Sequence, residues 1–304
     1  MPPELLQLSD PTALDPKQFI GIPIALVGAI FLSLGAQFQH RGVAKVEART
    51  HDADKGLSAR QLMALLGRPS WVIGTVMLGL AIVFQLTSLG FSPIIVVQPL
   101  GAVALVITAV LNSRVSKVKL NRSSVISIVL CVGGVGLFVL VAAFTAVDKP
   151  VSAGNLVTIL IILAVVLVLA ALTFAFFGSR FKAIAYIIGA GVLYGFVATL
   201  AKVVISRAFQ QDFGWLTVLA LAGLLAAAIL GGYFVQNAYA SGPPDLVIAG
   251  LTVVDPLVAV GIGIVVLGEA SQAPLWALIA FLAFGLVAIL GVFGLARYHP
   301  QAQR

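Results

Sequence analysis

Residues 92–112 read SPIIVVQPLGAVALVITAVLN, and residues 244–267 read PDLVIAGLTVVDPLVAVGIGIVVL. The first has no charged side chain, and the second carries only Asp245 at its start and Asp255 near its middle. At 1.5 Å per helical residue, either stretch is long enough to cross a hydrocarbon layer roughly 30 Å thick. In lipid every backbone N–H and C=O needs an internal partner, which leaves the helix and the closed barrel. Neither stretch alternates apolar with polar residues as a barrel strand does, so both read as transmembrane helices.

Working outward, runs of the same kind fall at 19–40, 71–89, 122–144, 154–177, 183–206, 215–238 and 273–296. Nine spans give an all-α, polytopic membrane bundle. Composition agrees: 61% of the 304 residues are hydrophobic and 10% charged, against about 45–50% and about 25% in soluble domains. So few charges cannot cover a water-exposed surface, so the remaining solvent is lipid. The single cysteine, Cys131, lies inside an apolar run and excludes an intrachain disulfide or a Cys-based metal cluster. The N-terminal stretch MPPELLQLSDPTALDPKQF lacks a basic n-region and a small-residue cleavage site, so the first run is expected to be retained as a span.

The formal net charge of +7 does not indicate nucleic acid, because the basic residues sit in short loops between apolar runs rather than on one water-facing surface. They are distributed unevenly across the expected membrane. Lys17, Lys149 and Arg207 fall on one side. On the other fall Arg41, Lys45, Arg49, Lys55, Arg60, Arg68, Arg114, Lys117, Lys119, Arg122, Arg180, Lys182, Arg297 and Arg304. By the positive-inside rule the second side is cytoplasmic, which places the tail 1–18 outside and the tail 297–304 inside a multi-pass protein of the cytoplasmic membrane. The cytoplasmic loop 41–70 is the longest polar segment. Ser58 and Gln61 have capping-box spacing ahead of Leu62, Met63, Leu65 and Leu66, which predicts a short helix on the membrane surface.

The chain also resembles itself. SPIIVVQPLGAVALVITAV around Gln98-Pro99 is similar to DLVIAGLTVVDPLVAVGIGIVV around Asp255-Pro256, and GAIFLSLGAQFQHRG from Gly28 is similar to GAGVLYGFVATLAKV from Gly189. The pairing makes 19–144 a first unit of four spans and 183–296 a second, with the span 154–177 between them. Four spans plus one linking crossing turn the second unit upside down, the inverted-repeat plan of secondary transporters.

Two longer stretches carry a family resemblance. GFSPIIVVQPLGAVALVITAVLNSRVSKVKLN (90–121), preceded by GRPSWVIGTVMLGLA (67–81), resembles the NIPA-type magnesium transporter branch of the drug/metabolite transporter (DMT) superfamily. AYASGPPDLVIAGLTVVDPLVAVGIGIVVLGEA (238–270) resembles the second EamA-type repeat of that superfamily, including the closing Leu267-Gly268-Glu269. The resemblance implies a nine-span bundle that moves a solute or ion. One turn departs from it: Lys117-Val118-Lys119-Leu120 stands where NIPA-like sequences carry an acid. The leading expectation is therefore a small organic solute or metabolite, with Asp255 as a proton-coupling group. NIPA-like magnesium transport is the alternative, and a non-transporting scaffold the third reading.

Of eleven acidic residues only Asp255 lies near the middle of a span. A charge there costs at least about 2.5–3.5 kcal/mol, so it demands a partner, water or a proton, and reads as functional. Pro256 removes a backbone donor and predicts a helix break. Lys202 is the expected counter-charge of Asp255. Gln98-Pro99 is the repeat counterpart of Asp255-Pro256, and Gln37, Gln85, Gln236, Asn237 and Tyr194 complete the expected path, with Asp255 as the magnesium ligand if that ion is carried. Tyr233 reads as packing first, and Gly191 with Gly195 as a close helix contact. The histidines His40, His51 and His299 have no H-E-x-x-H spacing, and no Walker or G-x-S-x-G motif occurs, so neither ATP-driven pumping nor enzyme chemistry is expected. The expected partners are the bilayer and a small molecule or ion. No cofactor is expected, and a homodimer is an open alternative.

Overall fold

The structure, a computed structural model, describes residues 19–50, 65–115, 121–177, 183–242 and 244–298. These form α1 (Gly21–Thr50), α2 (Pro69–Phe91), α3 (Ile94–Val97), a 3-10 turn (Gln98–Leu100), α4 (Gly101–Val115), α5 (Arg122–Thr145), α6 (Ala153–Phe177), α7 (Ala183–Phe209), α8 (Trp215–Ser241), α9 (Pro244–Val265) and α10 (Leu275–Tyr298). With α3, the turn and α4 taken as one span, nine helices among the described residues are long and apolar enough to cross a membrane. α1 runs ten residues past the span expected for it, into the segment read as loop 41–70. Of the expected surface helix, Ser58 and Gln61 lie outside the described residues, whereas Leu65 is helical and buried.

The two units pack alike. α1 lies on α2 and α4, and α4 on α5; correspondingly α7 lies on α8 and α9, and α9 on α10. The units meet where α5 packs on α10 and α2 on α7, and α6 rests against α7 and α8. Only 17% of the α6 and α8 spans is buried, so most of their surface lies on the outside of the bundle.

Lipid is as apolar as leucine, so helices here gain nothing from burying leucines against one another and associate through close backbone approach. Glycine supplies it. A Cβ on Gly291 of α10 would lie 2.3 Å from the Cys131 backbone nitrogen of α5, and one on Gly134 of α5 would lie 2.6 Å from the Ala288 nitrogen of α10. Backbone atoms cannot rotate aside, so Gly291→Ala is expected to separate α5 from α10 and lower the thermal midpoint in detergent by several degrees. Gly133→Ala, in the same α5 but with nothing within 4 Å of the added carbon, is expected to be neutral. Equal midpoints for the two variants would show that this contact is not tight.

Candidate functional site

Asp255 lies ten residues before Val265, about 15 Å from that end of α9 and so near mid-span. The helix passes α7 closely: a Cβ on Gly195 would meet Val258 Cβ at 2.6 Å and the Asp255 carbonyl at 3.0 Å, and one on Gly191 would meet Val254 Cβ at 2.6 Å. The two glycines are thus the close contact the spacing predicts. The contact leaves the Asp255 carboxylate with a buried Oδ1 that has no hydrogen-bond partner among the described residues.

Tyr194 of α7 lies within electrostatic reach of Asp255, and Tyr239 of α8 within reach of Tyr194. The Tyr194 ring fills the space over Gly231, and its hydroxyl lies 3.9 Å from where a Cβ on Gly232 would stand. Tyr194 of α7 thus stands by the carboxylate of α9, and the partly exposed Tyr239 of α8 stands by Tyr194. Tyr239 is not among the residues expected from the sequence, since nothing local marks a tyrosine near a span end.

The expected break at Pro256 does not occur, and α9 continues through it. A proline in a helix still removes one donor, so the Thr252 carbonyl has no amide four residues on to accept from. The interruption falls at the counterpart instead, where Gln98–Leu100 tighten into the 3-10 turn. Gln98 is buried there, one turn from the end of its span, at a different depth from Asp255. Pro99 and Pro256 do meet: together with Ala102, Phe138 and Thr252 they line an apolar cavity of about 80 Å³.

Lys202 is not the counter-charge of Asp255. It lies seven residues beyond Gly195, about 10 Å further along α7, and Nζ donates to Asp148 Oδ2 at 2.8 Å, the Leu89 carbonyl at 2.8 Å and the Ser92 carbonyl at 3.0 Å. Nor does it reach outward to an interface, since its side chain is 4% exposed. Beside it sits Glu269, read from sequence as a loop acid but only 1% exposed. Its carboxylate accepts the Ile94 amide at 2.8 Å and the Ile95 amide at 2.9 Å, capping α3. Burial pushes the Glu269 carboxyl up to about 7, against the two amides and the Lys202 ammonium, which favour the charged form. Nearby bonds tie the same end together: Val147 N–H to the Glu269 carbonyl, Lys149 to Ser271, and Asn155 to the Val266 carbonyl.

The remaining expected path residues are dispersed. Gln37 and Gln85 are half-buried on α1 and α2, and Gln236 is exposed. Asn237 donates to the Tyr233 carbonyl of its own helix at 2.8 Å, and Tyr233 is half-exposed. Among the described residues no hydrogen bond joins any of them to Asp255.

The family described as "Magnesium transporter NIPA" matches residues 16–206. Similar proteins include the probable magnesium transporters NIPA4 and NIPA1 of Arabidopsis thaliana. The first is 29% identical over 139 residues, covering 45% of this chain and 39% of the relative. The second is 27% identical over 121 residues, covering 40% and 35%. An uncharacterised protein of Corynebacterium glutamicum is 28% identical over 123 residues, covering 40% of this chain and 41% of its own. The aligned segment thus spans about two fifths of each relative. No solved structure matches.

Proposed function

The chain belongs to the NIPA magnesium transporter family, whose match covers more than half of it, and on that premise we propose that it carries Mg²⁺ across a membrane, with Asp255 as the acidic group on the path. The observation that carries this reading is the unpartnered Oδ1 of Asp255. As the expected counter-charge of Asp255, Lys202 would neutralise the one mid-span acid and weaken it as a cation ligand. Lys202 is committed to Asp148 instead, which leaves the Asp255 carboxyl without a basic side chain paired to it among the described residues.

The chemistry suits a hard cation that sheds water reluctantly. Mg²⁺ takes six oxygens at 2.0–2.1 Å and usually keeps several waters, needing only one or two carboxylates from the protein. Asp255 would supply the acidic oxygen, Tyr194 within electrostatic reach of it a phenol that can bond a water of the hydrated ion, and the Thr252 carbonyl freed by Pro256 a further acceptor. The organic-solute reading fares worse. The apolar cavity between the two prolines, about 80 Å³, falls short of the roughly 300–1,000 Å³ of ordinary small-molecule sites. The Lys and Arg distribution supports an N-terminus outside and a C-terminus in the cytoplasm, and the repeated packing of the two units supports alternating access by an inverted repeat.

The test is reconstitution of the purified protein into liposomes that enclose a Mg²⁺-sensitive dye. Protein-dependent dye response, undiminished by an excess of a mixed panel of amino acids, sugars and amines, is the expected result. No response to Mg²⁺ alongside counterflow of one of those solutes would overturn the reading in favour of an organic substrate.

A further inference from the structure

Among the described residues, Lys202 and Arg41, at the two ends of the bundle, are in opposite conditions. Arg41 stands thirteen residues after Gly28, and Lys202 thirteen after Gly189, so the pairing of α1 with α7 makes them counterparts. α1 begins at Gly21, whose carbonyl accepts from Ser88 at 2.8 Å, at the same end as the Leu89 and Ser92 carbonyls that hold Lys202. Arg41 lies twenty residues further on, about 30 Å along the helix and so at the opposite end. Lys202 is buried against three oxygens, all contributed by the first unit or the chain directly after it. Arg41 is exposed and, among the described residues, meets only the ring of Phe38 on its own helix, 5.8 Å from its centroid.

In an inverted repeat the two units exchange roles when the path reopens on the other side. A contact made by one unit at one end is then made by its counterpart at the other end in the alternate state. We infer that Lys202 and Asp148 form a gate that holds one end of the path shut, and that Arg41 shuts the opposite end in the alternate state, the two closures being mutually exclusive. Lys202 takes the carbonyls at the end of α2; the counterpart acceptors for Arg41 are the carbonyls at the end of α8, by Ser241 and Gly242. Glu269 positions the first gate by holding the start of α3 beside Lys202. The inference rests on the reading of the chain as a transporter, but not on its cargo.

Single cysteines in a Cys131→Ser background test it. Ala146, buried at the Lys202 end, and Gln37, half-buried near the Arg41 end, become the reporters Ala146→Cys and Gln37→Cys. Each is labelled with an impermeant thiol reagent in right-side-out and inside-out vesicles, so either orientation is readable. Lys202→Met should raise labelling of Ala146→Cys by roughly fivefold or more and lower that of Gln37→Cys; Arg41→Met should do the reverse. Lys202→Arg should restore the wild-type pattern. If Lys202→Met does not fold, Asp148→Asn serves, since Asp148 is one-third exposed and its replacement removes the ion pair alone. Both reporters moving together, or neither moving in Asp148→Asn, would overturn the gate. Labelling needs no cargo, so opposite shifts without Mg²⁺ flux would retain the gate and remove the magnesium reading, and flux with unmoved labelling would do the opposite.

Discussion

Asp255→Asn is expected to lower Mg²⁺ flux at least about tenfold while raising the thermal midpoint of the protein. Tenfold corresponds to about 1.4 kcal/mol at the rate-limiting step, a modest demand on the only mid-span carboxylate. The opposite sign on stability follows from the same feature. A carboxylate at this depth costs at least about 2.5–3.5 kcal/mol unless paired, and Oδ1 has no partner among the described residues. Asparagine is nearly isosteric, removes the charge and keeps the close α7–α9 contact, which is made by Gly191 and Gly195 rather than by the side chain. A gain on the order of 1 kcal/mol, or a few degrees, is the expected trade. The measurements are dye-reported flux in liposomes at matched protein density and thermal unfolding of the same preparation. Wild-type flux would remove Asp255 from the proposed path. A lowered midpoint would mean that the carboxylate has a structural partner and is a cap rather than a ligand.

What was legible in the sequence depended on whether the signal was local. The spans could be read because a helix in lipid must satisfy its backbone within itself, so apolar length alone identifies it. Asp255 stood out for the same reason, as a charge inside such a run. Glu269 did not, because Gly268, at φ 69°, turns the chain back at the end of α9 and gives the acid the look of a loop residue. Its burial is created by Ile94 and Ile95, 175 and 174 residues away, and no periodicity carries that information. Lys202 was misassigned on similar grounds. Its partner Asp148 is 54 residues distant and follows a span end, where an acid looks like an ordinary loop residue, so Asp255, at nearly the same separation but inside a span, was the more visible candidate. Pro256 misled in another way: a proline predicts a lost hydrogen bond, and helices embedded among other helices often absorb that loss without breaking.

The second large effect is expected at Glu269. Glu269→Ala should lower the thermal midpoint on the order of 10 °C, because the Ile94 and Ile95 amides, both on residues of 0% exposure, lose their acceptors together. Each unmet buried donor costs roughly 1–3 kcal/mol. Glu269→Gln should fall between, since a carboxamide offers one oxygen and turns its NH₂ towards the other amide. The pH dependence separates this cap from simple loss of packing. Burial holds the Glu269 carboxyl up to about 7, above the ordinary 4.5, so the folded protein keeps a proton that the unfolded chain releases over that interval. Stability from this group is therefore fully present below about pH 4.5 and is lost as pH rises through 7. The advantage of wild type over Glu269→Gln, which cannot titrate, should accordingly shrink between pH 5 and 8, and comparing the two chains cancels the titrating groups that do not interact with Glu269. A gap that stays constant over that range would show that Glu269 remains charged throughout. Its amide bonds and the neighbouring Lys202 would then outweigh its burial, and the Lys202 end of the bundle would be locked by charge rather than by a proton.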